Sequence, residues 1–209
     1  EGDDYSLDDI AIFYRSNAQS RVLEHALFGA GLPYRVYGGL RFFERQEIKH
    51  ALAYIRLAIS HNDDGAFLRI INFPSRGIGR KSIEKINEVA VQKSVALYTA
   101  CRNTSLTGKA DISLKKFTSL IDKLRNLCNT KSLSEVIEFT INDSGLIDYY
   151  NTEKDGLDRI ENLRELVNAG MVFEAENTIT SVDKTASNAP SEFDSANEEG
   201  GLFPSFLAY

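Results

Sequence analysis

The fold class follows from residues 44–59, which read ERQEIKHALAYIRLAI. Apolar residues recur in this stretch every three or four positions, at Ile48, Ala51, Leu52, Ile55 and Ile59. That spacing places them on one face of an amphipathic α-helix. Helical spacing persists to about residue 175, so the sequence predicts a mainly α fold with a helical domain over residues 44–175.

Local signals divide this domain into separate helices. The stretch Asn62-Asp63-Asp64 is placed to supply an N-cap for a helix that contains Phe67, Leu68 and Ile71. Pro74 breaks the chain, and the following glycine-rich segment predicts a tight turn into a helix from about Ser82 to Lys93. Further helices are predicted over residues 112–126, after a capping box at 132–135, and over residues 153–173.

The N-terminal residues 1–43 have a different pattern. The run Ile10–Arg15 is short, apolar and β-prone, a helical stretch begins near Ser20, and Tyr34–Tyr37 reads as a second strand. Strand, helix and strand in this order predict a βαβ unit with parallel strands. Because two strands do not make a stable sheet alone, we expect this unit to belong to a larger sheet.

The C-terminal part changes character twice. Residues 176–201 lose apolar periodicity and are rich in Ser, Thr, Asn, Asp and Glu, which predicts a flexible acidic linker. Residues 202–209, LFPSFLAY, are apolar again and are interpreted as the truncated start of a returning helix. The first residue is Glu1, not an initiator Met, so we expect an internal fragment of a longer protein.

Charge is unevenly placed along the chain. The net charge is −6, yet residues 69–109 hold eight basic residues against two acidic ones. Residues 174–199 hold seven acidic residues against one basic. A local positive block inside an acidic chain points to a polyanionic partner more clearly than the total charge does.

Composition excludes several classes of protein. There is no run of about 18 apolar residues and no signal-peptide pattern, so we expect no membrane partner and a cytoplasmic protein. Cys101 and Cys128 form no CxxC pair and are expected to be reduced, buried thiols. The histidines and carboxylates show no metal-binding spacing, so no metal site is predicted.

Tyr14 and Arg15 end the first predicted strand, where the chain enters a helix. Ligands of open α/β sheets bind outside this end of the strands, and a helix N-terminus favours anions. A tyrosine ring can stack on a base while a guanidinium binds a phosphate. From the spacing alone, a surface ion pair of Arg15 is the alternative, and both interpretations stay open.

Residues 74–82, PSRGIGRKS, form the second candidate site. Two glycines around Ile78 let backbone N–H groups approach a phosphate without interference from Cβ atoms. The next helix adds its positive N-terminus, and Arg76, Arg80 and Lys81 add charge. This chemistry suits a helix–hairpin–helix contact with DNA backbone; a plain glycine turn between two helices is the alternative. Tyr149 and Tyr150 could stack on bases, although burial is favoured.

Five segments together carry a family resemblance. They read YRSNAQSR at 14–21, LPYRVYGGLRFFERQEIK at 32–49, AYIRL at 53–57, RIINFPSRGIG at 69–79 and ENLREL at 161–166. The chain resembles the UvrD/PcrA/Rep-type superfamily 1 DNA helicases over these segments, beginning at helicase motif IV. The resemblance implies that residues 1–43 are a piece of the RecA-like α/β motor domain 2A and that residues 44–175 are the accessory domain 2B.

The resemblance also implies roles for the two candidate sites. Tyr14 would pack on the adenine of ATP, and Arg15 would contact the γ-phosphate as a catalytic stabiliser of phosphoryl transfer. Residues Arg76, Gly77, Ile78, Gly79, Arg80 and Lys81 would contact duplex DNA near a single-strand junction. The parent would be an ATP- and Mg-dependent helicase that unwinds DNA with 3′-to-5′ polarity.

The fragment itself is expected to be inactive. It contains no GxxxxGK[ST] phosphate loop and no Walker B acidic pair, so we expect no ATP bound to it and no hydrolysis by it. Its expected partners are duplex DNA, the rest of the motor and, through the orphaned strands, a second copy of itself. One alternative is a regulatory or protein-interaction module without direct DNA binding. Another is an independent nucleotide-binding enzyme, which the missing phosphate loop disfavours.

Overall fold

The computed structural model describes residues 6–14, 17–36, 42–186 and 202–207. The chain divides into two compact units, residues 1–45 and 46–209. The described part is mainly helical, as expected.

In the first unit, the described residues include the α-helix α1 (Asn17–Gly29). Gly31 follows it with a φ of +65°, and the Leu32 N–H donates to the Leu27 carbonyl oxygen at 2.9 Å, which ends the helix with a left-handed residue. Glu24 is buried, and its carboxylate accepts from the Phe42 N–H at 2.7 Å and from the Arg45 guanidinium at 3.3 Å. The Phe42 bond ties α1 to the short 3₁₀ turn Phe42–Glu44, and the ion pair ties it to the residue that follows the turn.

The predicted βαβ piece is not observed. The described residues of both predicted strands, 10–14 and 34–36, adopt no β-strand; Arg15 and Tyr37 lie outside the described residues. A strand is defined by backbone hydrogen bonds to a neighbouring strand, and a β-prone run supplies only one side of that pairing. The helix between the two runs is present, so the correction concerns the strands and the sheet.

The described part of the second unit is built from helices. They are α2 (Gln46–Ile59), α3 (Asp64–Ile70), α4 (Arg80–Lys93), α5 (Leu97–Arg102), α6 (Lys109–Cys128), α7 (Leu133–Asp143), α8 (Leu146–Asn151), α9 (Gly156–Ala186) and α10 (Leu202–Leu207). Within the described residues, no helix combines the length and the apolar character that a membrane crossing requires.

Helix α2 lies at the centre of this unit and packs against α3, α6, α7, α9 and α10. Ile48, Ala51 and Ile55 of the predicted stripe are fully buried. Tyr54 and Leu57 are fully buried as well, although they lie off that stripe. Neighbours on several sides therefore bury more of α2 than a single amphipathic face.

Two predicted helix starts are confirmed. The Asp63 carboxylate accepts from the Ala66 N–H at 2.8 Å at the start of α3. At the start of α7 the Glu135 N–H donates to the Ser132 hydroxyl at 3.2 Å, and the Ser132 N–H donates back to the Glu135 carboxylate at 3.0 Å. The Lys131 ammonium and these Ser132 bonds lower the pKa of Glu135 to about 2, which keeps the capping carboxylate ionised.

Helix α9 is longer than predicted. It continues to Ala186, so residues 176–186, which the sequence assigned to the linker, are helical. The chain has no Gly or Pro between Met171 and Ala186, and the loss of apolar residues removes a packing face without ending the helix. Residues 187–201 lie outside the described residues. Phe206 of α10 is buried and packs edge-on against Phe173 of α9, with ring centroids 5.3 Å apart.

Candidate nucleic-acid interface

The glycine turn before α4 is shaped by one asparagine. The Asn72 side-chain oxygen accepts from the Arg76 N–H at 2.9 Å and from the Ile78 N–H at 3.1 Å. Gly77 lies between these two donors with a φ of +73°, a conformation that residues with a Cβ rarely adopt. Asn72 therefore folds residues 72–78 into a compact loop that leads directly into α4.

Arg76 supports this loop from the protein side. Its guanidinium lies within hydrogen-bond distance of four carbonyl oxygens, those of Ile70 at 3.0 Å, Phe73 at 2.8 Å, Pro74 at 3.0 Å and Ser144 at 2.9 Å. It also donates to the Tyr54 hydroxyl and lies 5.6–5.7 Å from the ring centroids of Tyr54 and Phe117. The sequence predicted that the Arg76 guanidinium contacts a phosphate. In the structure, carbonyl oxygens of the protein itself accept the hydrogen bonds of this guanidinium.

Tyr54 completes this support. Its hydroxyl donates to the Phe73 carbonyl oxygen at 2.6 Å while it accepts from Arg76. Burial raises the pKa of Tyr54 to about 12, although the Arg76 guanidinium acts in the opposite direction. The hydroxyl therefore keeps its proton at neutral pH and can serve as donor and acceptor at once.

The outer side of the turn is open. Gly77, Gly79, Arg80 and Lys81 are exposed, whereas Ile78 is completely buried and anchors the turn. Gly79 precedes α4 as its N-cap residue and provides no side-chain cap. Its carbonyl oxygen accepts from the N–H groups of Ser82 and Ile83, at 3.0 and 3.2 Å.

The start of α4 has backbone N–H groups without a hydrogen-bond partner in the described residues. Among the described residues, the N–H groups of Gly79, Arg80 and Lys81 have no hydrogen-bond acceptor. The Arg80 side chain is 91% exposed and forms one ion pair, with Glu84 one turn further on at 2.8 Å. Unpaired N–H groups, a helix N-terminus and two exposed cations together can bind one anionic group.

A family model for the UvrD-like helicase C-terminal domain matches residues 2–188 of this chain. The chain belongs to the UvrD-like helicase family. This confirms the resemblance seen in the sequence.

Individual members of the family are also similar to the chain. DNA helicase II of Escherichia coli (strain K12) is 47% identical over 174 residues, which are 80% of this chain and 24% of that protein. ATP-dependent DNA helicase PcrA of Bacillus subtilis (strain 168) is 38% identical over 184 residues, 86% of this chain and 24% of that protein. The chain thus spans about a quarter of the length of these helicases.

The predicted nucleotide contacts of this UvrD-like chain lie in the first unit. Tyr14 is 38% exposed and the neighbouring Phe13 is 94% exposed. Arg15 lies outside the described residues. The roles of Tyr14 and Arg15 at ATP stay predictions.

A cluster of aromatic side chains lies behind the turn, and the sequence predicted burial for part of it. Burial of Tyr150 is confirmed, since it is 1% exposed and its hydroxyl lies 2.9 Å from His50 Nδ1. The His50 ring stacks on Phe73, with centroids 3.7 Å apart, and Tyr149 packs edge-on against the same Phe73. Burial first, and then the charges of Arg69 and Arg159, lower the pKa of His50 to about 4. A neutral His50 thus holds Phe73, the residue that leads into the turn.

The sequence did not indicate how the turn is supported. Asn72 carries a weak local signal, because asparagine side chains commonly bond to backbone a few residues on. Tyr54 and Ser144 carry none, since their approach to Arg76 depends on the tertiary fold. In the part of the chain that the structure describes, no group of three His, Cys, Asp or Glu residues could hold a metal ion.

Proposed function

We propose that this chain supplies the duplex-contacting accessory domain and part of the ATP site of an ATP-dependent DNA helicase with 3′-to-5′ polarity. Its substrate would be duplex DNA next to a single-strand junction, and its further partner would be the rest of the helicase motor. The proposal starts from membership of the UvrD-like family and adds roles for named residues.

The observation that carries the proposal is the open glycine turn at the N-terminus of α4. A phosphate group placed there would accept from the N–H groups of Gly79, Arg80 and Lys81 and would face two exposed cations. Backbone N–H groups and a helix dipole recognise phosphate without reading bases. Such a contact suits a helicase, because the enzyme has to move across duplex of any sequence.

Arg76 has a different task in this proposal. With its guanidinium held by carbonyl oxygens and Tyr54, it positions the turn from behind. Gly77 and Gly79 provide the backbone approach, Ile78 is the buried anchor, and Arg80 and Lys81 provide the charge.

The Arg80–Glu84 ion pair does not oppose this role. The Arg80 side chain is 91% exposed and that of Glu84 is 54% exposed. Exposed pairs of this kind contribute only about 0–1 kcal/mol, so Arg80 can exchange the carboxylate for a phosphate at little cost.

The ATP contribution would come from the first unit. Tyr14 would pack on the adenine, and Arg15 would contact the γ-phosphate; Mg²⁺ would neutralise phosphate charge in the complete site. The chain has no GxxxxGK[ST] loop of its own. We therefore expect no ATP turnover by the chain alone.

Duplex binding by the 209-residue chain tests the proposal. Fluorescence anisotropy would follow a labelled duplex with a single-stranded tail at low salt, for the wild type and for Arg80→Glu/Lys81→Glu. We expect the wild type to bind and the double variant to bind much more weakly. Lys93→Glu/Lys154→Glu is the matched control, since it makes the same charge change at two exposed lysines outside the turn.

Two results would contradict the proposal. One is the absence of duplex binding by the wild type at low salt, which would favour a regulatory module without DNA contact. The other is equal weakening in both double variants, which would show that binding depends only on net charge.

A further inference from the structure

A second basic surface lies on α6, outside the positive block seen in the sequence. A groove of about 490 Å³ is lined by Ile112, Lys115, Lys116, Ser119, Leu120 and Lys123. These positions recur at helical spacing, so they form one face of α6, here called the lysine face. Asp143, the last residue of α7, borders the groove.

The lysine face keeps most of its positive charge. Lys115 forms an ion pair with Asp111 one turn earlier, at 2.8 Å. Lys116 and Lys123 are exposed, and neither has an acidic partner within ion-pair distance in the described ranges. Since Asp111 pairs with Lys115, the groove is left with Lys116 and Lys123 against the Asp143 carboxylate, and this excess of positive charge favours an anion.

The floor of the groove is apolar. Ile112 is 57% exposed although it is a large hydrophobic side chain, and Leu120 is half-buried beside it. The opposite side of α6 carries the core residues Leu114, Phe117, Ile121 and Leu124. Ile112 and Leu120 are not among the buried core residues of α6, and their exposed surface forms an apolar strip between lysines.

A DNA backbone matches this alternation. It carries phosphates at regular intervals with deoxyribose rings between them, and proteins contact both parts. Lys116, Ser119 and Lys123 follow one another over about 10 Å of helix axis, at 1.5 Å per residue. An acidic peptide is the competing occupant, but the groove borders Asp143, next to Ser144, whose carbonyl oxygen accepts from Arg76 in the glycine turn, and this favours the ligand proposed for that turn.

The groove and the glycine turn share their structural supports. Asp143 borders the groove. The carbonyl oxygen of the next residue, Ser144, accepts a hydrogen bond from the Arg76 guanidinium at 2.9 Å. Phe117, on the core side of α6, lies under the same guanidinium. The two basic surfaces are therefore connected through α6 and the C-terminal end of α7.

We infer that the lysine face of α6 is a second contact for the sugar–phosphate backbone of DNA, so that the DNA footprint extends from the glycine turn onto α6. This inference rests on the proposed function. It assigns the first contact to backbone N–H groups and the second to lysine side chains, which interact with phosphates as point charges.

The salt dependence of duplex binding tests the inference. The 209-residue chain and its Lys116→Glu/Lys123→Glu variant would be titrated against the same labelled duplex over a range of salt. Each lost phosphate contact lowers the slope of log K against log salt by about 0.9, so we expect a decrease of about two for the variant. Lys93→Glu/Lys154→Glu should leave the slope unchanged, and Lys116→Arg/Lys123→Arg should retain it.

Each other outcome has a distinct meaning. If the wild type binds and the Lys116/Lys123 variant has the same salt slope, the inference is wrong. The proposed DNA contact at the glycine turn is unaffected by that result. No wild-type binding overturns both. If labelled poly-L-glutamate loses binding to this variant while the DNA slope stays the same, the lysine face binds acidic protein, and the inference is wrong. Should the charge reversal unfold the chain, Lys116→Gln/Lys123→Gln replaces it, with the same expected decrease.

Discussion

Arg76 is the residue on which the shape of the glycine turn depends. Lysine at this position would offer a single ammonium in place of a planar group that meets four carbonyl oxygens and the Tyr54 hydroxyl. We expect Arg76→Lys to lower the free energy of unfolding by about 1–3 kcal/mol, because at least one buried carbonyl oxygen would lose its hydrogen bond. Urea denaturation measures this change.

Arg80→Lys is the control for this prediction, because Arg80 is exposed and makes one surface ion pair. Its effect on stability should stay within about 0.5 kcal/mol. An Arg76→Lys variant as stable as the wild type would contradict the positioning role.

His50 makes stability depend on pH. Its pKa is lowered to about 4 by burial, with help from Arg69 and Arg159, from an ordinary value of 6.5. The folded state thus prefers neutral His50, so this contribution to stability is complete above about pH 6.5 and is lost as the pH falls towards 4. Thermal unfolding of the wild type and of His50→Gln over this range should show a steeper decrease for the wild type.

Burial and the charge of Arg125 also lower the pKa of His61. Because His61 is present in the wild type and in His50→Gln, its contribution cancels when their stabilities are compared. Identical pH profiles for the wild type and His50→Gln would contradict the assignment.

At the residue scale, the sequence predicted where the turn lies, but it counted Ile78, which is fully buried, among the outward-facing contacts. It did not predict that Arg76 faces inward, because its partners Tyr54 and Ser144 lie 22 and 68 residues away. Nothing local distinguishes an arginine that contacts phosphate from one that is held by carbonyls.

Among the elements, α7 and α9 pack closely at Gly170. A Cβ added there would lie 2.8 Å from Ile137 Cδ1, which is closer than two carbon atoms can approach. Both residues are buried. We expect Gly170→Ala to be less harmful when Ile137→Val removes that methyl group, with a coupling free energy of at least about 0.5 kcal/mol in a double-mutant cycle. Strictly additive effects would show that the helices can separate at this point.

Element boundaries could be predicted where a side chain marks them. Asp63 and Ser132 are such markers, and both caps are present. The end of α9 has no marker before Ala186, and the sequence-based linker therefore began too early. The strands were wrong for another reason, since a β-prone run does not determine whether a pairing partner exists.

At the scale of the whole molecule, the first unit carries exposed apolar side chains close together. Ile10 is 58% exposed, Ile12 48% and Phe13 94%. Clustered exposed apolar residues promote association, so the predicted self-association now rests on these side chains. Sedimentation velocity should show concentration-dependent association of the wild type and a monomer for Ile12→Asp/Phe13→Asp. A monomeric wild type at high concentration would contradict it.

In the proposed function, the open turn before α4 binds duplex backbone through its N–H groups. Amide chemical shifts of the ¹⁵N-labelled chain, recorded during titration with duplex DNA at low salt, test it most directly. We expect the largest changes at Gly77, Gly79, Arg80 and Lys81. If these amides stay unperturbed while the duplex binds elsewhere or not at all, the turn is only a connector between helices and the claim is wrong.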